Sequence, residues 1–127
     1  MPQPLPRFGA PTMGGYSAHN IVTIQSAATT NATLVVARAG VISQIALGNH
    51  DATHAFVKLY NKASAPTVGT DTPLTTLLIP AKGMLIIPFR FGLDFSIGIG
   101  FGLSVNPAIT DTTAVGADQI VGFITYV

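Results

Sequence analysis

The chain has no cysteine, no tryptophan and no glutamate among its 127 residues. The absence of cysteine excludes disulfide bonds, thiolate catalysis and zinc sites built on cysteine. Charged side chains are also scarce, at 9% of the sequence against roughly 25% in an average soluble domain. A surface this poor in charge is weakly hydrated, which predicts that much of it is covered by other protein subunits.

The few charges do not form a field that would attract a charged partner. The formal net charge is +1, and the six lysines and arginines are scattered along the chain. No apolar run approaches the ~20 residues needed to cross a bilayer. The first residues lack the charged-then-apolar order of a signal peptide. We therefore expect neither a nucleic-acid partner nor a membrane partner.

Residues 1–19 differ in composition from the rest of the chain. Prolines fix φ and exclude a helix, while the glycines between them loosen the backbone. The prolines are Pro2, Pro4, Pro6 and Pro11. We predict an extended Pro/Gly-rich arm, for which two interpretations stay open. It is either a disordered tail or an arm laid on a neighbouring subunit, with Phe8, Met13 and Tyr16 as its interface anchors.

From residue 20 onward the chain is rich in Val, Ile, Leu, Thr and Phe, and turn residues separate the apolar stretches. The candidate strands are 20–25, 32–38, 40–48, 54–61, 74–79, 83–91, 92–105 and 119–126. No stretch shows the 3.6-residue period of a helix. Eight short strands predict one all-β domain over 20–127, an eight-stranded β-sandwich. A jelly roll is favoured, with an immunoglobulin-like variant as the alternative.

The stretch SIGIGFGLS (96–104) has glycine at every second position. Strict alternation of apolar with small or polar residues is the period of a strand. A phosphate-binding loop would need G-x-G-x-x-G before a helix, or G-x-x-x-x-G-K-[ST], and neither motif is present. We therefore predict one long, bent strand. Its bare face is covered either by aromatic side chains of an adjacent strand or by another chain that packs on Gly98, Gly100 and Gly102.

Two short clusters contain residue types that are used in catalysis or metal binding. GNHDATH (48–54) contains two histidines and an aspartate, but a divalent site needs a further ligand, and a structural turn is favoured. GYSAH (15–19) places Ser17 as in a nucleophile elbow, without the required G-x-S-x-G. We predict no catalytic residue, no metal and no cofactor.

One strand face carries a possible ligand platform. Phe56 and Tyr60 lie at alternate positions on either side of Lys58, and the charge of Lys58 predicts that this face is exposed to solvent. Exposed aromatic side chains have an apolar body that can stack on a sugar ring. Phe56 and Tyr60 are therefore the candidate residues for a bound glycan.

Three segments resemble those of a known family: AFVKLYNKASAPTVGTDTP (55–73), LLIPAKGMLIIPFRFGLDFSIGIGFGLS (77–104) and DTTAVGADQIVGFITYV (111–127). Together they resemble small structural proteins of tailed phages and prophages, in particular capsid decoration, or cement, proteins. The resemblance covers about residues 31–127, and its most specific part is the K-L-Y-[DN]-K-A…P-T-V-G-T-D-T-P run. The proline-rich start lies outside it.

The resemblance implies a β-sandwich that self-associates, with a homotrimer as the expected form, and that docks on a major capsid protein. It places the chain on the capsid surface of a virion made in the bacterial host cytoplasm, and it offers no catalytic residues. The expected function is to decorate and stabilise the shell. Two other functions stay open: a tail- or fibre-associated receptor- or glycan-binding module using Phe56 and Tyr60, and a metal-dependent jelly-roll enzyme using His50.

Overall fold

The computed structural model describes residues 19–127, so all of the predicted arm except His19 lies outside the described residues. Eight antiparallel strands form two four-stranded sheets, and no helix occurs in this range. The strands are β1 (Asn20–Gln25), β2 (Thr33–Val36), β3 (Gly40–Asn49), β4 (Ala55–Asn61), β5 (Thr75–Ile79), β6 (Met84–Phe95), β7 (Ile99–Ser104) and β8 (Ile120–Tyr126). The all-β prediction is confirmed.

The strand order identifies the kind of sandwich. The first sheet has the order β1-β8-β3-β6 and the second has the order β2-β7-β4-β5. Only β4 and β5 follow each other within one sheet, and every other connection crosses to the opposite sheet. This is a jelly roll, built from two Greek keys around one core. The immunoglobulin-like alternative is wrong, because there the first two strands pair within one sheet.

The core lies between the sheets and is filled by alternate residues of the strands. β-branched and aromatic side chains pack well on such pleated surfaces, and burying one of them fully stabilises the fold by about 1.5–3 kcal/mol. The fully buried apolar side chains include Ile42, Ile45, Leu47, Leu59, Ile79, Phe95, Ile99, Leu103, Ile120 and Ile124.

The predicted strand 92–105 is wrong, because this segment belongs to two strands in different sheets. β6 ends at Phe95, the chain crosses the sandwich at residues 96–98, and β7 begins at Ile99. The side-chain oxygen of Asn61 accepts hydrogen bonds from the backbone N–H of Ile97 (2.8 Å) and Gly98 (3.3 Å), which holds the crossing. A crossing of three residues keeps the alternation in phase, so Phe95 and Ile99 both face the core.

A bulge interrupts the pairing of β3 with both of its neighbours between Ile42 and Gln44. Opposite it, residues 89–92 of β6 have no pairing partner on β3, and Phe91 is 89% exposed. Gly92 has φ = 79°, and a Cβ there would also meet the side chain of Val41. The position therefore needs glycine. β6 is an edge strand, where a proline such as Pro88 is tolerated.

Candidate interaction surfaces

The chain's own loop covers the outward face of the second sheet. Gly100 pairs with Tyr60, and Gly102 pairs with Lys58. A Cβ at Gly98 would meet the backbone of Lys62, and one at Gly102 would meet the side chain of Val68. The three alternate glycines therefore leave room for the loop between β4 and β5.

This packing decides between the two interpretations of the glycine face. Gly98, Gly100 and Gly102 are buried under residues of their own chain, so they do not form a surface for another chain. The hypothesis that the three glycines are interface residues is corrected accordingly. An aromatic residue of the adjacent strand does contribute, because Tyr60 Cε1 would lie 3.7 Å from a Cβ at Gly102.

An ion pair joins two residues within the β4–β5 loop. The Asp71 carboxylate accepts hydrogen bonds from Lys62 Nζ (2.6 Å) and from the backbone N–H of Thr67 (2.7 Å). The hydrogen bond from Lys62, followed by that from Thr67, lowers the pKa of Asp71 below its usual value. These contacts therefore close the β4–β5 loop on itself.

The buried side chain of Lys58 binds the loop between β7 and β8. This side chain is fully buried, and Nζ donates hydrogen bonds to the backbone carbonyls of Ala108 (2.7 Å) and Asp111 (3.2 Å). Burial lowers the pKa of Lys58, and the Asp111 carboxylate partly offsets this. The prediction that the strand face around Lys58 is exposed to solvent is wrong, because the β4–β5 loop and the β7–β8 loop both lie over it.

The Asp111 carboxylate orders the same loop. It accepts hydrogen bonds from the backbone N–H groups of Asn106 and Thr113 (both 3.2 Å) and from Thr113 Oγ1 (2.8 Å). Burial acts against ionisation, but the hydrogen bonds from Thr113 and Asn106 together lower the pKa of Asp111. A charged, hydrogen-bonded aspartate therefore keeps the carbonyls that face Lys58 in place.

Phe56 and Tyr60 do not form an exposed aromatic platform. Tyr60 is only 1% exposed and Phe56 is half-buried, with the His54 ring edge-on to it at 5.6 Å between centroids. The Tyr60 hydroxyl is buried without a hydrogen-bond partner among residues 19–127. Burial, with a smaller contribution from Asp71, raises the pKa of this phenol. Tyr60 is therefore unable to stack on a sugar.

The histidine-containing segment 48–54 forms a turn between β3 and β4. The Asn49 side-chain oxygen accepts a hydrogen bond from the backbone N–H of Asp51 (3.0 Å), and its amide donates to the Thr53 carbonyl (3.0 Å). In the part of the chain that the structure describes, no three His or Asp side chains are grouped to hold a metal ion. Ser17 lies outside the described residues, as do Phe8, Met13 and Tyr16.

The first sheet presents a different outward face. Three outward positions on each of its four strands line up in rows across the sheet, and none of these residues is charged. We name this surface the uncharged face. Its residues are Ile21, Thr23 and Gln25 on β1, Val121, Phe123 and Thr125 on β8, Gln44, Ala46 and Gly48 on β3, and Met84, Ile86 and Pro88 on β6.

Large apolar side chains on the uncharged face are open to solvent within residues 19–127. Ile21 is 65% exposed, Met84 61%, Ile86 55% and Val121 37%. Large apolar side chains exposed on one sheet face are typical of interaction sites. The sequence contained the alternation on each strand, but only the pairing of β1, β8, β3 and β6 joins the residues into one surface.

The uncharged face has an open groove at each end. The groove near the start of β1 has a volume of about 810 Å³, and we name it the entry groove. Val41, Ser43, Gln44 and residues 88–92 line it, and His19 lies at its rim with Nδ1 3.0 Å from Ser43 Oγ. The second groove, of about 520 Å³, lies near Met84 and Val121 at the opposite end.

Comparison of the chain with protein-family models, with curated proteins and with solved structures found no match. Between residues 19 and 127 there is no helix with the length and apolar character needed to span a bilayer. Inferences about function therefore depend on the sequence segments, the fold and the two outward faces.

We expect Lys58→Met to flatten the dependence of stability on alkaline pH. The pKa of Lys58 is lowered in the folded chain from 10.5, its ordinary value. At pH values between the lowered pKa of the folded chain and 10.5, the unfolded chain binds more protons than the folded chain. The free energy of unfolding of the parent protein therefore rises with pH in this range. Methionine keeps the length of the side chain and does not titrate. Urea unfolding at increasing pH up to 10.5 measures the difference.

The control is Lys82→Met, which removes an exposed lysine. It should keep the rising slope of the parent protein. The raised pKa of Tyr60 acts in the opposite sense above 10.0, and it does so equally in all three proteins. Parallel curves for the parent and Lys58→Met would contradict the assignment of the slope to Lys58.

Proposed function

We propose that this chain is a structural protein of a tailed-phage virion that decorates and stabilises the capsid shell as a symmetric oligomer, with a trimer as the expected form. The observation that carries the proposal is the uncharged face, twelve aligned outward positions of one sheet without an ionic side chain. Such surfaces are suited to burial against other protein. The resemblance of three segments to phage cement proteins supports the viral assignment.

The mechanism that fits this surface is multivalent attachment. One sandwich offers only a few apolar contacts, and burying each of its large side chains stabilises a contact by about 1.5–3 kcal/mol at most. A closed oligomer that is seated across several shell subunits must break all of its contacts together, so its attachment is far stronger than that of one subunit. The shell would resist outward pressure without any contact between this protein and the packaged DNA.

The second candidate function, a receptor- or glycan-binding module of a tail or fibre, has no comparable observation behind it. Its candidate platform required two exposed aromatic side chains, and Tyr60 is buried. The half-buried Phe56 is in contact with His54. Capsid decoration is therefore the function that the surfaces support best.

Two measurements test the proposal. Native mass spectrometry of the full chain should show one closed oligomer, and cryo-electron microscopy of purified particles should show its density on the capsid surface at a fixed ratio to the shell subunit. A monomer in solution together with density at the tail tip, or with no density on the particle, would refute it.

A further inference from the structure

The outer edge of β1 is suited to pairing with a further strand, and we propose that it binds the same edge of a second copy of this chain. β1 lies at one end of the first sheet beside β8, and no strand between residues 19 and 127 pairs with its other side. The contact uses the backbone of β1, so the outward side chains of the uncharged face stay open for other contacts. It does not depend on capsid decoration.

The hydrogen bonds to β8 show which backbone groups of β1 point to its free edge. The N–H of Ser26, the residue directly after β1, donates to the Ile120 carbonyl (2.9 Å). Along an antiparallel strand, residues that bond to a given neighbour alternate with residues that do not. The even-numbered residues of β1 therefore bond to β8. The N–H and C=O groups of Ile21, Thr23 and Gln25 point to the free edge, where each of them needs a partner.

β1 has none of the features that usually keep a sheet edge from pairing. Proline, charged side chains, bulges and a very short strand are the common ones. β1 consists of six residues, NIVTIQ, without a proline or a charge. It pairs with β8 in an unbroken register, so its backbone is regular along its whole length. Its β-branched residues also favour the extended conformation.

The other three edges of the described sandwich are less suited to pairing. β6 contains Pro88 and Arg90, and its register with β3 is interrupted. β2 has four residues, with a shift of register between Leu34 and Val36. β5 has five residues and is followed directly by Pro80. Among these edges, β1 is therefore the one that best accepts an added strand.

The sequence of β1 fits a second copy of itself. With a twofold axis at Thr23, Thr23 lies opposite Thr23 of the second copy, and Ile21 lies opposite Gln25. Each of these three facing pairs exchanges two N–H···O=C bonds, so every free backbone group of the three residues is used. Facing threonines stabilise a sheet, and on the inward side Val22 lies opposite Ile24. No charged side chain of β1 is brought against another, because β1 has none.

This pairing joins the two four-stranded sheets into one sheet of eight strands. The twofold axis is perpendicular to that sheet, so the two uncharged faces lie side by side on the same surface. Edge pairing therefore doubles the surface that the proposed function assigns to other protein.

A disulfide experiment on the full chain tests the contact and its register. Thr23→Cys introduces the only cysteine of the chain. Facing residues of this kind have Cα atoms about 5.5 Å apart, within the limit of about 7 Å for a disulfide. The control is Ile21→Cys, at a position that is 65% exposed. Its two copies would be offset by four residues, or about 13 Å along the strands.

Under mild oxidation, we expect Thr23→Cys to form a disulfide-linked dimer about tenfold faster than Ile21→Cys, because only the first pair of thiols is within reach. Equal rates would show that the thiols meet by random collision, and they would overturn the proposal. A faster reaction of Ile21→Cys would place the strands in another register and would overturn it as well.

Removal of one backbone donor supplies a second test. Thr23→Pro removes an N–H that points to the free edge and is not bound to β8, and proline is tolerated at such edge positions. The control Thr23→Val changes the same side chain and keeps the N–H. Native mass spectrometry should show an assembly of Thr23→Pro with half the mass of the parent assembly, whereas Thr23→Val should match the parent.

The mass of the parent protein also separates this contact from the proposed function. If the uncharged face builds the expected trimer, edge pairing joins two trimers, and Thr23→Pro should return them to single trimers. A parent assembly whose mass Thr23→Pro leaves unchanged would overturn edge pairing. That result would leave capsid decoration standing, because the imaged particles decide it.

Discussion

Gly98→Ala is expected to lower the free energy of unfolding by about 1–3 kcal/mol, the usual cost of overfilling a packed site. An ideal Cβ at residue 98 would collide with the carbonyl of Lys62 and lie 2.9 Å from Ala63 Cα. These are backbone atoms, which cannot rotate away as a side chain can. Movement of either segment would also strain the hydrogen bond from the Lys62 N–H to the Gly98 carbonyl (3.2 Å).

Urea denaturation measures this loss, and Gly48→Ala is the matched control. Gly48 is a strand glycine on an outward face, and the nearest atom to its Cβ would be the Val121 carbonyl oxygen at an ordinary 3.6 Å. Replacing a strand glycine by alanine without a clash should stabilise the protein by about 0.5–1 kcal/mol. The two substitutions should therefore act in opposite directions, and equal effects would show that the β4–β5 loop does not press on Gly98.

Ile86→Lys is expected to weaken assembly of the proposed oligomer about ten- to hundredfold. Ile86 is 55% exposed on the uncharged face. Burying an isoleucine contributes about 1.5–3 kcal/mol, and each 1.4 kcal/mol corresponds to about a tenfold change in the association constant. Lysine at this position would also place an ammonium group in a surface that has no ionic partner for it.

Sedimentation velocity over a range of concentrations measures assembly, and Leu78→Lys is the control. Leu78 is 48% exposed, but it lies on the second sheet. Both substitutions are on the surface, so the stability of the folded subunit should stay within about 0.5 kcal/mol of the parent. If both variants assemble like the parent protein, the uncharged face is not the contact between subunits.

The sequence predicted the kind of element well, because strand alternation is a local signal. The first strand was predicted at 20–25, as observed for β1, and the β4 prediction began one residue early. The sequence favoured a jelly roll, but the strand patterns alone do not separate it from the immunoglobulin-like variant. The difference depends on which distant strands pair, as β1 does with β8, and alternation is the same in either arrangement.

The surfaces were harder to predict, for a related physical reason. Lys58 was expected to be wet because it is charged, but its amine is bound by the carbonyls of Ala108 and Asp111, about fifty residues further along the chain. Every residue has a carbonyl, so a binding site made of backbone oxygens leaves no mark in the sequence. The uncharged face was missed because neighbours such as Thr23 and Phe123 come from opposite ends of the chain.

The last strand in the chain order, β8, occupies the middle of its sheet, between β1 and β3. During synthesis, β1 and β3 therefore cannot pair with β8 until residues 120–126 have been made. Until then the core also lacks Ile120 and Ile124. Folding dominated by such distant pairings is slow, and the waiting apolar strands are prone to aggregate. The sandwich should thus close in a single late step, and a nascent chain stalled before residue 120 should remain a substrate for chaperones.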